Sequence, residues 1–190
     1  MQPHAAILIA WLVFLVAWIM ASGWSARVAS HDDLGAESPS RVLVIASVAM
    51  ILVSYWPMGR GVLWATPVNW GWTAFACVLA GFLFAWWARL HLGPLWSNAA
   101  SPTEAHRIVD TGPYHIVRHP VYAGLLFAAL ATALELGRVE ALAGAATLIA
   151  ALSFRAKTEE HGLRRDVSDA EYTSYRRRVP MLIPFAKIPK

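Results

Sequence analysis

Five apolar runs alternate with polar stretches along this chain, and their lengths predict helices that cross a lipid bilayer. Ala5 to Met20 contains no charged residue, and extending it from His4 to Trp24 gives about 20 residues, enough for roughly 30 Å of hydrocarbon. A signal peptide would have a basic leading segment and a shorter apolar stretch, and further apolar runs would not follow it. The second run, Val42 to Trp56, comes after a polar loop ending in Ser38-Pro39-Ser40, which opens a helix. Trp70 to Leu90 matches the first run in length. Val121 to Leu136 and Val139 to Phe154 are separated by Gly137-Arg138, and at about 16 residues each they span roughly 24 Å. They predict a tight helical hairpin, fully spanning or slightly re-entrant. Its many alanines, with Gly144, allow helix backbones to approach closely in lipid.

The polar stretches divide the chain near residue 91. Residues 1–90 hold three N-terminal transmembrane helices, and residues 91–190 interleave polar segments with the hairpin. Gly93-Pro94, Ser101-Pro102 and Gly112-Pro113 interrupt the connector, so no long helix runs through it. After the hairpin, Glu159 to Arg178 is charged, with Leu163, Val167, Ala170 and Tyr175 at roughly helical spacing, which predicts a helix on the membrane surface or over a site. Val179 to Phe185 is apolar but broken by Pro180 and Pro184, and predicts an extended cap. The fold class expected is therefore all-α integral membrane, with about five transmembrane helices, the last two a tight hairpin, and a cytoplasmic C-terminal segment.

Composition strengthens this picture. The chain is 57% hydrophobic with ten tryptophans and 15% charged residues, well below the roughly 25% of soluble domains. Five spans place Arg27, Arg41, Arg89, Arg107, Arg118 and every Lys or Arg from Arg155 onward on one side, leaving Arg60 and Arg138 on the other. The positive-inside bias then puts the N-terminus outside and the C-terminus in the cytoplasm. The net charge of +4 flanks spans instead of forming a separate domain, which favours anionic membrane lipids over nucleic acid as the partner. The lone Cys77 supports neither a disulfide framework nor a metal site.

Ionisable residues beside or inside spans need a reason, because each costs free energy in lipid. Arg118 and His119 precede Pro120, which suits the first turn of the fourth span, and Tyr122 and Gly124 follow within about a turn. Headgroup snorkelling alone would account for an arginine and a histidine there. Arg155 and Glu159 share a helix face, which by itself is an ordinary i,i+4 ion pair. For Glu160, His161 and the later charges a solvated helix face is the default. Hairpin topology, however, returns Glu159 to the membrane side where His119 lies.

The ordered set is more specific than its parts. Gly112-Pro113-Tyr114, then Arg118-His119-Pro120-x-Tyr122-x-Gly124, then 34 residues, then Glu159-Glu160, then Glu171-Tyr172-x-x-Tyr175 and Arg178-Val179-Pro180 resembles the isoprenylcysteine carboxyl methyltransferase family and its phospholipid and thiol methyltransferase relatives. Leu92-Gly93 with Trp96-Ser97 is similar to a further stretch of that family, so the resemblance covers about residues 90 to 186. It implies binding of S-adenosyl-L-methionine by the second half. His106, Arg107, Ile108, Val109, Tyr114, His119, Pro120, Val121 and Tyr122 would line the cofactor pocket, and Glu159 would bind the cofactor from the far end of the hairpin. Arg155 would face a carboxylate acceptor, and His119 or Glu160 would serve as base toward an amine. A sulfonium and an ammonium suit a carboxylate and aromatic faces, and a guanidinium matches a carboxylate bidentately. Two departures from the pattern, His161-Gly162 and Val167-Ser168, lie outside these contacts.

The activity so implied is methyl transfer to a lipophilic or lipidated acceptor, foremost a prenylcysteine-type carboxylate, with a phospholipid amine or a thiol as alternatives. The chain has no strand-associated Gly-x-Gly loop, which excludes a Rossmann-type soluble methyltransferase as the template. An NADPH-dependent membrane reductase of related architecture would draw on Arg164, Arg165 and Arg176 to Arg178 for the 2′-phosphate. A non-catalytic scaffold or small transporter would use Arg118 and Glu159 as a buried pair. Transport favours ionisable residues near the midplane of several spans, and the first three spans supply none.

Overall fold

The computed structural model describes residues 2–25, 38–56, 61–93, 108–166 and 169–186. The described residues form seven helices in the order α1 (Pro3–Ser25), α2 (Ser38–Val53), α3 (Val68–Leu92), α4 (Pro113–Ile116), α5 (Pro120–Leu136), α6 (Val139–Asp166) and α7 (Asp169–Arg178). All five apolar runs form helices, the second ending at Val53, three residues short of Trp56. Proline stands at the first position of α1, α4 and α5, where its missing N–H is no loss. The largest difference from expectation is the reach of α6, which continues three turns beyond Phe154 and carries Glu159 and Glu160 on the hairpin helix itself. The charged stretch read as one surface helix is thus the end of α6 plus α7. The physical reason is that nothing between Phe154 and Asp166 breaks a helix except Gly162, whose cost there is only about 1 kcal/mol.

Helices α1, α3 and α6 are long and apolar enough to cross a membrane, whereas Val42–Val53 of α2 and Pro120–Leu136 of α5 are shorter. Their outer faces carry exposed Ile9, Val13, Ile19 and Met20 on α1 and Leu83 and Leu90 on α3, an apolar surface suited to lipid tails. Directions alternate. Pro3 at the start of α1 and Glu135 near the end of α5 both approach Gly71 in the first turn of α3, so these ends share one side.

Close packing follows from small residues. A Cβ at Gly81 of α3 would come 2.5 Å from the carbonyl oxygen of Gly124 on α5, so these backbones meet directly, flanked by fully buried Ala85 and Ala128. On the other face of α3, Phe14 stacks on Phe82 at 4.2 Å and Trp11 meets Phe82 edge-on at 4.8 Å. Trp11 Nε1 donates to Thr132 Oγ1 at 2.9 Å, and Thr132 Oγ1 donates to the Ala128 carbonyl at 2.8 Å, so both buried polar groups are satisfied inside the bundle. Helix α2 packs along α6, where Gly144 leaves room for Ser47 and Ile51.

The α5–α6 turn is set by Gly137 in the left-handed conformation (φ 58°). A short extended segment clips it: the Leu63 N–H donates to the Gly137 carbonyl at 2.7 Å and the Val139 N–H to the Gly61 carbonyl at 2.9 Å.

Candidate functional site

The open end of the α5–α6 hairpin gathers the polar residues. Ahead of α5, the N–H groups of Arg118 and His119 donate to the carbonyls of Pro180 and Met181 at 2.9 and 3.1 Å. The segment after α7 therefore folds back as the expected cap, held by backbone pairing on the two residues that open α5. On the other side, the extended α6 presents Arg155, Glu159 and Glu160 from a continuous helix.

Two layers result, distinguished by burial. In the inner layer Arg118 Nε donates to Glu160 Oε1 at 2.8 Å, and their side chains are only 7% and 9% exposed. Arg118 Nη1 also donates to the carbonyls of Val179 (2.6 Å) and Arg176 (3.2 Å), so one guanidinium ties α5, α6 and the cap together. In the outer layer Tyr122 Oη donates to Glu159 Oε1 at 2.5 Å, while Arg155 Nε donates to Tyr122 Oη at 2.8 Å and to Glu159 Oε1 at 3.0 Å. Here Arg155 and Glu159 are 27% and 38% exposed, so a ligand can reach them. His119 joins the layers: its Nε2 lies 3.3 Å from Glu160 Oε1, its Nδ1 3.6 Å from Glu159 Oε2, and its ring stacks parallel to that of Tyr122 at 5.5 Å.

The remaining residues divide. Tyr114 lies in α4, where burial first, then Tyr175 and the Glu159 carboxylate, push its phenol well above the ordinary tyrosine value. Burial likewise raises Tyr175, so its hydroxyl stays protonated and donates to the Tyr114 carbonyl at 2.7 Å. Ile108 packs against the cluster of Tyr172, Tyr175 and Val179 and is not joined to the polar network, and Val109 beside it is half-buried. Pro120 and Val121 are buried, Val121 within the main core, against which Tyr114 and Tyr122 also pack. His106 and Arg107 lie outside the described residues, as do Trp96-Ser97 and Val167-Ser168. His161 turns to the Lys157 carbonyl of its own helix at 2.8 Å, away from the cluster.

Sequence reasoning missed His91. At the end of α3 its Nε2 lies 2.9 Å from Thr111 Oγ1, its ring stacks over Tyr114 at 6.4 Å, and a Cβ at Gly112 would strike it. Its place immediately before Leu92-Gly93 was the available signal. The reading also missed Arg118 as the organising cation, because its partners are backbone carbonyls and a carboxylate 42 residues away.

Fold and site together define an all-helical membrane protein whose polar centre lies at one end of a helical hairpin. Residues 73–165 match the model of the isoprenylcysteine carboxyl methyltransferase (ICMT) family. The match begins earlier and ends sooner than the motif resemblance, containing the whole Arg118–Glu160 cluster but not α7 or the cap. Over 83 residues the chain is 35% identical to protein-S-isoprenylcysteine O-methyltransferase B of Arabidopsis thaliana, covering 43% of this chain and 42% of that protein. Over 73 residues it is 47% identical to methanethiol S-methyltransferase 2 of Bradyrhizobium diazoefficiens, covering 37% of this chain and 26% of that protein. The chain thus spans less than half the length of either relative.

Proposed function

We propose that this chain is an S-adenosyl-L-methionine-dependent integral membrane methyltransferase, with five spans, an external N-terminus and a cytoplasmic site, acting on a lipophilic acceptor of the prenylcysteine carboxylate type. The observation that carries the reading is the outer layer: a half-exposed Glu159 carboxylate set between a stacked His119–Tyr122 pair and the Arg155 guanidinium. Glu159 spends Oε1 on Tyr122 and Arg155, while Oε2 carries only the 3.6 Å contact to His119. That oxygen and the two aromatic faces suit a cationic or hydroxyl-rich ligand, which fits the donor. His119, Tyr122, Glu159 and Tyr114 would hold it.

S-adenosylmethionine supplies an electrophilic methyl group on a sulfonium. The protein's own residues position and shield. Arg118 and Glu160 hold the start of α5 against the end of α6, and the cap bonded to Arg118 and His119 excludes water from that side. Arg155, already oriented by Tyr122 and Glu159, would place an acceptor carboxylate. Such an acceptor has no proton to lose, so Glu160 can remain locked in its ion pair. A phospholipid amine would instead require His119 or Glu160 to take a proton.

A thiol acceptor is the second reading, favoured by the 47% identity to a protein named for methanethiol. Isothermal titration of the detergent-purified protein with S-adenosylmethionine and, separately, with NADPH tests the first point. Binding of the methyl donor, weakened in Glu159→Ala, is expected; NADPH binding without donor binding would overturn the proposal. Radiolabelled donor assays on carboxylate, thiol and amine acceptors then separate the acceptors, with Arg155→Gln lowering turnover of the carboxylate alone.

A further inference from the structure

A second feature shares Arg118 with the cluster but otherwise faces elsewhere. An apolar groove of ≈ 1690 Å³ runs along α3, α5 and α6, with Ala80, Phe84, Phe127, Leu130 and Ile149 in its lining, and continues under the cap. None of His119, Tyr122, Arg155 and Glu159 lines it. Helical geometry explains the separation: Ser153 lines the groove, and Arg155, two residues on, projects about 200° further round α6. Phe127 is similarly about 140° from Tyr122 on α5. The volume exceeds the roughly 300–1,000 Å³ typical of a pocket for one small ligand.

The mouth of the groove is basic. Thr173, Arg176 and Arg177 line it from one face of α7, at i, i+3 and i+4. Arg118 is committed to Glu160 and two carbonyls. Arg176 and Arg177 are exposed, and neither guanidinium has an ion-pair partner among the described residues, whereas the next residue, Arg178, lies 3.5 Å from Asp110. Two uncompensated guanidiniums and two hydroxyls, Ser153 and Thr173, thus edge a channel with room for hydrocarbon.

We propose that this groove is a binding site for an anionic phospholipid, its acyl chains along Phe84, Phe127 and Leu130 and its phosphate at Arg176 and Arg177. The charge of the mouth selects the occupant: a neutral chain would fill the apolar part and leave both cations without a counterion, whereas a phosphodiester with net negative charge satisfies both. The site does not depend on the identity of the methyl donor, because it lies on other faces of α5 and α6.

Native mass spectrometry of the detergent-purified full chain, titrated with phosphatidylglycerol and with phosphatidylcholine, tests it. Phosphatidylglycerol should bind roughly tenfold or more tightly than phosphatidylcholine. Arg176→Gln/Arg177→Gln, both at exposed positions, should bring it down to the phosphatidylcholine level. Ala80→Phe, which narrows the groove from an exposed position, should weaken both lipids while circular dichroism stays unchanged. Equal binding of the two lipids to the unaltered chain, or a preference that survives the double substitution, would overturn the proposal. So would stoichiometric displacement of the phospholipid by a prenylcysteine, which would assign the groove to the acceptor.

Discussion

At the open end of the hairpin, Arg118, His119, Tyr122, Arg155, Glu159 and Glu160 are joined through hydrogen bonds and ion pairs that run from buried to half-exposed. At the closed end, Tyr55, Glu135, Arg138 and Glu140 are also ionisable, yet Tyr55 Oη, Glu135 Oε2, Arg138 Nε and Glu140 Oε2 are buried without a hydrogen-bond partner among the described residues. The Arg138–Glu140 contact there is 3.7 Å, beyond hydrogen-bond range. What holds the closed end is backbone and shape: the left-handed Gly137, the clip at residues 61–64, and Trp64 Nε1 donating to the Leu134 carbonyl at 3.0 Å. A hairpin can thus be closed without a side-chain charge network. The network at the other end instead fixes the mutual geometry of its side chains through hydrogen bonds, leaving Glu159 Oε2 with only a 3.6 Å contact to His119.

The comparison breaks most visibly if Arg118 is removed. Arg118→Ala leaves Glu160 buried without its cation and two carbonyls without a donor, so a destabilisation of about 3–5 kcal/mol is expected by thermal unfolding in detergent. Earlier proteolysis between residues 179 and 186 should accompany it. No change in either would mean that the inner layer is not what holds the cap.

Glu159→Ala probes the outer layer. Donor affinity measured by titration should fall roughly 10- to 100-fold, the range for a hydrogen bond to a charged group. Stability should change little, since this carboxylate is half-exposed. Tyr122→Phe deletes the hydroxyl between Arg155 and Glu159 but keeps the ring against His119; a loss of about 1 kcal/mol, or several-fold in turnover, is expected from steady-state kinetics. The smallest effect belongs to the closed end. Glu135→Gln replaces a carboxylate lacking a partner for one oxygen with an amide of the same shape, and both donor affinity and melting temperature should stay near the unaltered values. A fall in donor affinity matching that of Glu159→Ala would erase the distinction between the two ends.

The limits of the sequence reading show at particular residues. Helices, hairpin and cap followed from local patterns: uncharged runs, Gly137-Arg138, and the prolines at 180 and 184. Because α6 contains no strong helix breaker, its true end beyond Phe154 was legible in principle, but the change from apolar to charged residues masked it. His91 escaped because its partners, Thr111 and Tyr114, lie across the connector and no helical periodicity links them.

By itself the sequence determined the medium, the helices and the identities of the polar residues at the hairpin's open end, because hydrophobic length and turn chemistry act over a few neighbouring residues. Only the tertiary structure decided how those residues are shared out. Glu159 and Glu160 are adjacent and chemically identical, yet about 100° of helical rotation sends one to Tyr122 and Arg155 at the accessible surface and the other to Arg118 in the interior. Burial and partner, not residue type, separate the accessible carboxylate from the one that ties α5, α6 and the cap together.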